Sequence, residues 1–400
     1  MRFVTRPIEP LEEPLSLAPD TVWMSPETSL WGWGEAARIR PGPNSARTEV
    51  IGRRFREILT DVSSEFVEGG AGGGPVVISS ITFAEGSTGS VAIVPEVLVR
   101  REGTRWWLTS IDGRPLPSPP TDPPPPVDRA RYAGSSVPDV QWLHVVAEAI
   151  DLIQQGRLAK VVLARDYGVW SRQPLHPPRL LRYLHSRFPS CHTYSVAGLV
   201  GASPELLVRR REARFESVVL AGSAPRHPDP VADRAAGDAL LDSKKDLWEH
   251  ELAVRSVAES LEAIGVAPDV AREPRVLHLD NVQHLATDVD AEVPLSYDAL
   301  RLAGVLHPTA AVGGTPTAEA LEVIRRLEGM DRGRYAGPVG WMDADGDGEF
   351  AIALRCAELS GARARLFAGA GIVAESLPEA ELEETRIKLG AMMGALTAAD

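Results

Sequence analysis

The sequence predicts an α+β fold, because strand-like runs and helical segments are distributed unevenly along the chain. Residues 20–112 alternate short apolar runs with Gly-rich turns, a pattern typical of strands joined by tight connections. Segments with helical periodicity come later and are grouped between pairs of strand-like runs. Since a doubly wound sheet needs a helix after each strand, we expect mostly antiparallel sheets with flanking helices.

In chain order, the sequence divides into three parts. Residues 1–114 form a β-rich N-terminal part, and residues 128–400 form a larger C-terminal region that contains the predicted helices. Residues 115–127 are a connector, because eight prolines in the twelve positions 115–126 exclude helix and central strand. Helices are predicted after Pro138, over 177–187, from about 243 to 264, near 296–305, near 316–328 and at the C-terminus, with strands such as "AKVVLARDYGVW" and "GEFAIALRCAEL" between them.

Composition limits the compartment and the partners. The chain has no apolar run of 18 residues and no signal-peptide core near its start, so we expect a cytoplasmic protein. Cys191 and Cys356 match no metal-binding spacing and are expected to be buried free thiols. A net charge of −13 argues against nucleic acid or an anionic membrane as a partner.

Two predicted helices carry paired acids at the border of their apolar stripes. On a helical wheel of 379–396, Glu381 and Glu384 share one flank of a stripe that begins at Leu382. In the helix at 243–264, Asp246 and Glu249 stand in the same relation to Leu247. A single acidic run usually marks a solvated helix face. Two matched pairs also fit a cleft with a cation between them, and oxygen-only ligands favour Mg²⁺.

Two isolated charged residues could perform acid–base chemistry. Lys160 begins an apolar strand-like run, where a lysine commonly extends to water; if it is desolvated, its pKa falls and it can act as a general base. Glu205 follows a Ser-Pro turn and precedes an apolar strand. It is either a turn acid or, in a hydrophobic cleft, a carboxyl that stays protonated and acts as a general acid.

Further residues have both a structural and a functional interpretation. By default, His284 in "NVQHLATDV" is a hydrogen-bonded core histidine. Arg355 is a charge inside an apolar strand and needs a partner, for which a ligand carboxylate is a candidate. Residues 369–371 either form a tight turn or offer backbone N–H groups to an anion. The segment 343–350 imitates a calcium loop, but Leu354 occupies the position of the essential glutamate, so a hairpin turn is predicted.

Nine motifs occur in an order that resembles the chorismate-utilising enzymes, and most closely the isochorismate synthases. They are "KVVLAR", "GASPELLV", "AGSAPR", "KDLWEH", "HPTAAVGGTP", "RGRYAGPVGW", "IALRCAEL", "AGAGIVAES" and "ELEETRIK", within about residues 140–397. The resemblance implies one large domain of the anthranilate synthase component I type, with sheets packed as a sandwich and an active site in the cleft. It also implies that residues 128–400 bind chorismate, with Mg²⁺ as cofactor.

The resemblance also implies roles for individual residues. Lys160 would activate water for attack at C2 of chorismate, and Glu205 would protonate the departing C4 hydroxyl. The implied metal ligands are Glu249 and Glu384, supported by Asp246 and Glu381. The implied substrate-binding residues are Ser223, His284, Ala311, Tyr335, Arg355, Gly369, Ala370, Gly371 and Lys388.

A few positions distinguish the branches of the family. Ammonia-using anthranilate and aminodeoxychorismate synthases carry a lysine where this chain has Ala221, so Lys160 with Ala221 resembles the water-using branch. Salicylate synthases typically carry threonine at Ala311, which favours a reaction that stops at isochorismate. Ser223 and Leu377 depart from the family pattern. The alternatives are a salicylate synthase, an ammonia-using enzyme and a non-catalytic binding protein.

We therefore predict an isochorismate synthase that serves siderophore, menaquinone or salicylate-derived biosynthesis. Chorismate is the expected small-molecule partner. A monomer without a glutaminase subunit is expected, since nothing in the sequence demands a partner chain.

Overall fold

The computed structural model describes residues 2–67, 73–121 and 130–398. The strands are β1 (Arg2–Pro7), β2 (Thr21–Met24), β3 (Thr28–Trp33), β4 (Ala37–Ile39), β5 (Ser63–Phe66), β6 (Val76–Ser80), β7 (Val91–Val94), β8 (Val97–Glu102), β9 (Arg105–Ile111), β10 (Arg131–Gly134), β11 (Lys160–Trp170), β12 (His192–Val196), β13 (Leu199–Ser203), β14 (Leu206–Arg211), β15 (Arg214–Pro225), β16 (Asp269–Val270), β17 (Arg275–His278), β18 (Val282–Glu292), β19 (Gly314–Thr315), β20 (Pro338–Asp343), β21 (Gly348–Ile352), β22 (Cys356–Ser360) and β23 (Arg363–Ile372). The helices are α1 (Arg47–Thr60), α2 (Asp139–Gln154), α3 (Pro177–Arg187), α4 (Pro230–Asp242), α5 (Lys244–Glu262), α6 (Ala299–Leu306), α7 (Thr317–Leu327) and α8 (Pro378–Thr397), with a short 3₁₀ helix at Pro14–Leu17.

The strands form two sheets. Within the described residues, the larger sheet has 13 strands in the order β10-β11-β23-β22-β13-β12-β2-β3-β8-β9-β1-β5, with β19 paired to β11. The smaller has 10 strands in the order β16-β18-β15-β14-β21-β20-β6-β7-β4, with β17 paired to β18. Among the described pairs, β1 with β5 is parallel and the others are antiparallel. The predicted α+β class with mostly antiparallel sheets is confirmed.

The two sheets face each other across a shared core. Trp23 on β2 of the larger sheet donates its indole N–H to Glu349 Oε2 on β21 of the smaller sheet at 2.9 Å. One hydrophobic cluster contains buried residues from both sheets, such as Trp23, Val76 and Phe350. Because β2 pairs with β12, the N-terminal strands complete a sheet that the C-terminal region begins. Residues 122–127 of the predicted connector lie outside the described residues, so the proposed division of the chain stays a prediction.

Most predicted helices are present with small shifts at their ends. The segment 177–187 is helical over its predicted length as α3, while α5, α6, α7 and α8 begin or end within about three residues of the prediction. The predicted hairpin turn joins β20 to β21, and both cysteines are buried free thiols as predicted. In the part of the chain that the structure describes, no helix is long and apolar enough to span a membrane.

Two helices were missed by the sequence interpretation. Helix α1 lies inside the segment that the sequence interpretation assigned to strands and turns. It was missed because its only large, fully buried apolar residues are Ile51 and Phe55, among many arginines. Helix α4 is rich in alanine and aspartate. Its start carries a signal that identifies it: the Asp229 side chain accepts hydrogen bonds from the N–H groups of Val231 and Ala232, and Pro230 occupies the first helical position.

Candidate active site

One pocket lies where β11, β15, β18 and β23 meet helices α5 and α8. Ten of the residues singled out in the sequence line it, namely Glu205, Ser223, Glu249, His284, Ala311, Tyr335, Arg355, Gly369, Gly371 and Lys388. They come from segments that are far apart in the sequence, so the fold gathers them. The other five, Lys160, Ala370, Asp246, Glu381 and Glu384, lie outside this lining.

Lys160 is completely buried beside the pocket. It begins β11 and pairs with Thr315 on β19. The next residue of β11, Val161, pairs with Ile372 on β23. Its side chain is 0% exposed, and its Nζ lies 3.2 Å from Glu249 Oε1. The alternative in which Lys160 extends to water is therefore wrong, because its side chain is directed at Glu249 on helix α5 and has no exposed surface.

Gly371 explains how Lys160 and Glu249 reach each other. A Cβ at this position would lie 2.0 Å from Glu249 Oε1 and 3.1 Å from Lys160 Cε. The first distance is impossible and the second is tight, so a side chain here would have to displace the Glu249 carboxylate from its position beside Lys160. Gly369 and Gly371 lie inside β23, and the predicted alternative of a tight turn is wrong.

Ala370 does not face the pocket. Successive residues of a strand point to opposite sides, so Ala370 points away from Gly369 and Gly371 and joins the hydrophobic core. The carbonyl of Gly369 accepts a hydrogen bond from Lys388 Nζ at 3.0 Å. On the stretch 369–371, the side facing the pocket thus offers glycine surfaces and an occupied carbonyl, and the Ala370 side chain contributes nothing to it.

Glu205 is a buried acid at the junction of β13 and β14. Its backbone N–H donates to Ser203 Oγ at 3.2 Å, and its carbonyl accepts from the Ile352 N–H at 3.2 Å. Burial raises the pKa of Glu205 to about 8, although the positive charges of Lys160, Arg355 and Lys388 act against this shift. Glu205 is therefore no surface turn acid, and its carboxyl is mostly protonated at pH 7.

His284 is neutral, and its hydrogen bonds determine which nitrogen carries the proton. Arg355 Nη2 lies 3.0 Å from His284 Nε2, and since a guanidinium only donates, Nε2 must be the acceptor. The proton therefore sits on Nδ1, which faces the Gly222 carbonyl at 3.0 Å and Ser223 Oγ at 3.1 Å. Burial, then Arg355 and Lys388, hold the pKa of His284 well below its usual value. The histidine is hydrogen-bonded as the default interpretation expects, and it also lines the pocket.

Arg355 presents an unused hydrogen-bond donor. The residue is buried and has a φ of +47°, a backbone conformation that residues other than glycine rarely adopt. Within the described part of the chain, its Nε is buried without a hydrogen-bond partner. Because a buried cationic donor left unpaired is costly, the site is prepared for an acceptor such as a carboxylate. Tyr335 lines the same pocket and stacks on Phe367 at 5.1 Å between ring centres.

A β-bulge shapes the wall that carries Ser223. The register between β15 and β18 shifts between Ala221 and Ser223, and Gly222 there has a φ of +74°. A Cβ on Gly222 would lie 3.2 Å from Asp246 Cβ. The glycine therefore permits both the bulge and the close approach of helix α5, which carries two of the acids.

Two of the four acids lie deeper than the helical wheels predict. Glu249 and Glu381 are buried, Glu381 to 1% exposure, while Asp246 and Glu384 are half-buried. Leu247, beside which the sequence places the two acids of α5, is only half-buried. The buried apolar residues of α5 are Leu252, Ala253, Val257 and Leu261.

Three lysines balance these acids. Lys160 pairs with Glu249, Lys245 Nζ lies 2.7 Å from Glu381 Oε1, and Lys388 pairs with Glu384. Burial and then the neighbouring Glu384 raise the pKa of Glu381. Burial opposes ionisation of Glu384 as well, but Lys388 and Lys245 outweigh it and lower its pKa. Lys245 was missed in the sequence, although a buried acid such as Glu381 needs a cation.

The donor set fits a hard divalent cation by its chemistry. All four side chains offer carboxylate oxygens, which Mg²⁺ prefers, and Glu381 and Glu384 lie one turn apart on helix α8. Among the described residues, however, no three acidic, histidine or cysteine side chains are close enough together to hold a metal ion as they stand. Three of the four acids are instead paired with lysines.

Comparison with known proteins gives a consistent result. A family model described as "Chorismate binding enzyme" matches residues 117–397. The chain is 42% identical over 265 residues to the salicylate biosynthesis isochorismate synthase of Pseudomonas aeruginosa, which covers 64% of this chain and 55% of that protein, little more than half its length. It is 38% identical over 380 residues to a Mycobacterium tuberculosis protein provisionally named isochorismate synthase MenF, with 90% of this chain and 98% of that protein covered.

Solved structures share the fold along nearly the whole chain. MenF, the menaquinone-specific isochorismate synthase from Escherichia coli, matches with a TM-score of 0.82 at 25% identity, covering 99% of this chain and 94% of that one. Anthranilate synthase component I from Streptococcus pneumoniae matches with a TM-score of 0.74 at 21% identity, covering 92% and 93%, a likeness of fold alone. The predicted anthranilate synthase component I-like fold is confirmed.

Proposed function

The chain belongs to the chorismate-binding enzyme family, and we propose that it is an isochorismate synthase. The observation that carries this proposal is a pair of groups at one pocket: a carboxyl that holds its proton at pH 7, Glu205, and a buried amine, Lys160. In the reaction, water adds at C2 of chorismate, the ring double bonds shift, and the C4 hydroxyl leaves. One allylic hydroxyl replaces another, so the conversion is reversible.

Glu205 supports the difficult half of this exchange. Hydroxide is a poor leaving group, so the C4 oxygen must receive a proton as its bond to carbon breaks. A carboxyl with a pKa of about 8 retains that proton at neutral pH. Lys160 is proposed to take the proton from the attacking water, for which its amine must first lose to solvent the proton that it carries in the ion pair with Glu249. After turnover, Lys160 releases its extra proton to solvent, and Glu205 takes up a proton from solvent.

Anchoring the substrate falls to the cationic side of the pocket. Chorismate carries two carboxylates, and the unpaired Nε of Arg355 can donate a hydrogen bond to one of them. The neutral Nδ1–H tautomer of His284 holds the Arg355 guanidinium in place through Nε2. Lys388 and Tyr335 line the same pocket and are proposed as further carboxylate contacts.

We propose Mg²⁺ as the cofactor, held by Glu249 and Glu384 with support from Asp246 and Glu381. The all-oxygen donor set supports this assignment. When bound there, a divalent cation supplies positive charge for a substrate carboxylate, which four acids would otherwise repel.

The experiment that tests the function is product identification. The purified chain is incubated with chorismate and Mg²⁺, and we expect isochorismate without added ammonia and without pyruvate. Release of pyruvate would instead identify a salicylate synthase. Ala311 and Val312, which line the pocket, argue against that alternative. An ammonia-dependent, aminated product would identify the other alternative, and no turnover would favour a binding protein. We also propose that the protein acts in the cytoplasm as a monomer without a glutaminase subunit. Gel filtration of the active chain tests whether it is a monomer.

Turnover is expected to decline above pH 8, because Glu205 can donate a proton only while it is protonated. Its protonated fraction is large at pH 7 and falls as the pH rises through about 8. Infrared difference titration should show a protonated carboxyl that disappears over the same range and is absent from Glu205→Gln. A carboxyl already ionised at pH 6 would contradict the assignment.

Gly371→Ala is expected to lower kcat about 100-fold, because the new methyl group displaces Glu249 and Lys160 from their positions. Gly390→Ala in α8 is a matched control, since its Cβ would meet nothing nearer than Asn281 Nδ2 at 4.0 Å. The control should retain full activity. Equal kinetics for both variants would show that the close contact at Gly371 is not needed for turnover.

A further inference from the structure

Lys245 is the one of the three paired lysines for which neither the acid–base chemistry nor substrate anchoring provides a role. Lys160 is the proposed base, and Lys388 lines the pocket. Lys245 lies in the first turn of α5, directly before Asp246, and reaches across to α8, where its Nζ lies 2.7 Å from Glu381 Oε1. It is therefore the contact that ties the two acid-bearing helices together.

The charge of Lys245 acts on all four acids. Burial disfavours its ammonium, but Glu381, Glu249 and Asp246 outweigh burial and raise the pKa of Lys245. The same ammonium helps to lower the pKa of Glu384. The ammonium of Lys245 is in direct contact with Glu381 at 2.7 Å and adds positive charge near the other three acids, as a bound cation would.

Exposure distinguishes Lys245 from its neighbours. Its side chain is 30% exposed, whereas those of Lys160 and Lys388 are 0% and 13% exposed. Glu381, its partner, is almost completely enclosed. The flexible lysine stem therefore has a route to solvent that the carboxylate lacks, so the ammonium can leave the cluster while Glu381 stays.

We propose that Lys245 is a tethered cation that occupies the acid cluster when no divalent ion is bound, and that it competes with that ion for Glu381. The inference rests on the metal site of the proposed function and deepens it. Lys245 keeps Glu381 and Glu384 from repelling each other in the metal-free protein. It also weakens metal binding, because the incoming ion must displace a charge that is already paired.

The test measures metal binding without turnover. Binding of Mn²⁺, used as a paramagnetic probe for Mg²⁺, is followed by electron paramagnetic resonance on the full chain. Lys245→Met, which keeps the stem and removes the charge, should bind Mn²⁺ roughly tenfold more tightly than the unsubstituted chain, since a like charge has left the site. Lys245→Arg keeps the charge and should bind no more tightly than the unsubstituted chain.

A variant at the partner residue gives the opposite sign. Glu381→Gln removes an oxygen anion that attracts the metal, so it should weaken Mn²⁺ binding. Thermal unfolding provides a second readout: Lys245→Met should have a lower Tm than the unsubstituted chain in chelator, and a larger rise in Tm on adding Mg²⁺. A variant that does not fold even with Mg²⁺ would be replaced by Lys245→Gln, for which the same results are expected.

Two outcomes would overturn different claims. If Lys245→Met binds Mn²⁺ as the unsubstituted chain does, or more weakly, the competition is refuted and the metal site survives. If the unsubstituted chain and Glu381→Gln both fail to bind Mn²⁺, the metal assignment itself is wrong. Conversion of chorismate to isochorismate is measured separately, so its success or failure reports on the proposed function alone.

Discussion

Glu205→Gln is expected to lower kcat by about 100-fold to 10,000-fold, the range that general acid catalysis contributes. Glutamine keeps the size of the side chain and its fit in the pocket, but it cannot give a proton to the departing hydroxyl. The KM for chorismate should change much less than kcat. Activity is measured by following the formation of isochorismate from chorismate with Mg²⁺ present.

The same substitution should stabilise the folded protein at alkaline pH. The pKa of Glu205 is raised from its ordinary value of 4.5 to about 8 by burial. A raised folded-state pKa means that the folded protein retains a proton which the unfolded chain loses, so stability is complete below pH 4.5 and declines as the pH rises to about 8. The full loss is on the order of 5 kcal/mol, and glutamine avoids it.

Unfolding by denaturant checks this second expectation. At pH 5 the unsubstituted chain and Glu205→Gln should have similar free energies of unfolding, and at pH 8 to 9 the variant should be more stable by a few kcal/mol. A merely structural glutamate would show the reverse, with loss of stability at both pH values. Unchanged turnover in the variant would refute the role of Glu205 as the acid.

Lys160→Met is expected to lower activity by a similar factor, about 100-fold to 10,000-fold, because methionine cannot take the proton from the attacking water. Its effect on stability should have the opposite sign. Lys160 is wholly buried 3.2 Å from Glu249 Oε1, so methionine leaves the carboxylate enclosed without its cation. Breaking a buried ion pair from one side costs about 3–5 kcal/mol.

The double variant Lys160→Met with Glu249→Gln separates the two effects. It removes both charges, so much of the lost stability should return, whereas turnover should remain lost. The free energies of unfolding of the two single variants and the double variant form a cycle that measures the coupling. Full turnover in Lys160→Met would disprove the role as base, and additive stability losses would show that the ion pair contributes nothing.

Much of the candidate site was visible in the sequence as residue types at particular spacings. The nine motifs identified the family, which the match over residues 117–397 confirms. Helices such as α3 and α8 were predictable because their apolar periodicity is local. Helix α1 was not, since its arginines dilute that periodicity and tertiary packing of Ile51 and Phe55 decides the matter.

At each site residue, the sequence left open a choice that only packing resolves. Lys160 could have reached water, and Glu205 could have been a surface turn acid. The structure buries both, because the side chain of Lys160 is directed at Glu249 on helix α5 and Glu205 is 4% exposed at the pocket wall. Ala370 was included with its glycine neighbours, yet the alternation of the strand turns it into the core.

By itself, then, the sequence determined the family and supplied the candidate acids and bases, since these depend on which residues follow one another. The tertiary structure alone decided which carboxylate each lysine pairs with and which acid keeps its proton. Lys160 and Glu249 are 89 positions apart, and Lys245 and Glu381 are 136 apart. Ion pairing and pKa depend on distance and burial, and over such separations only the fold sets both.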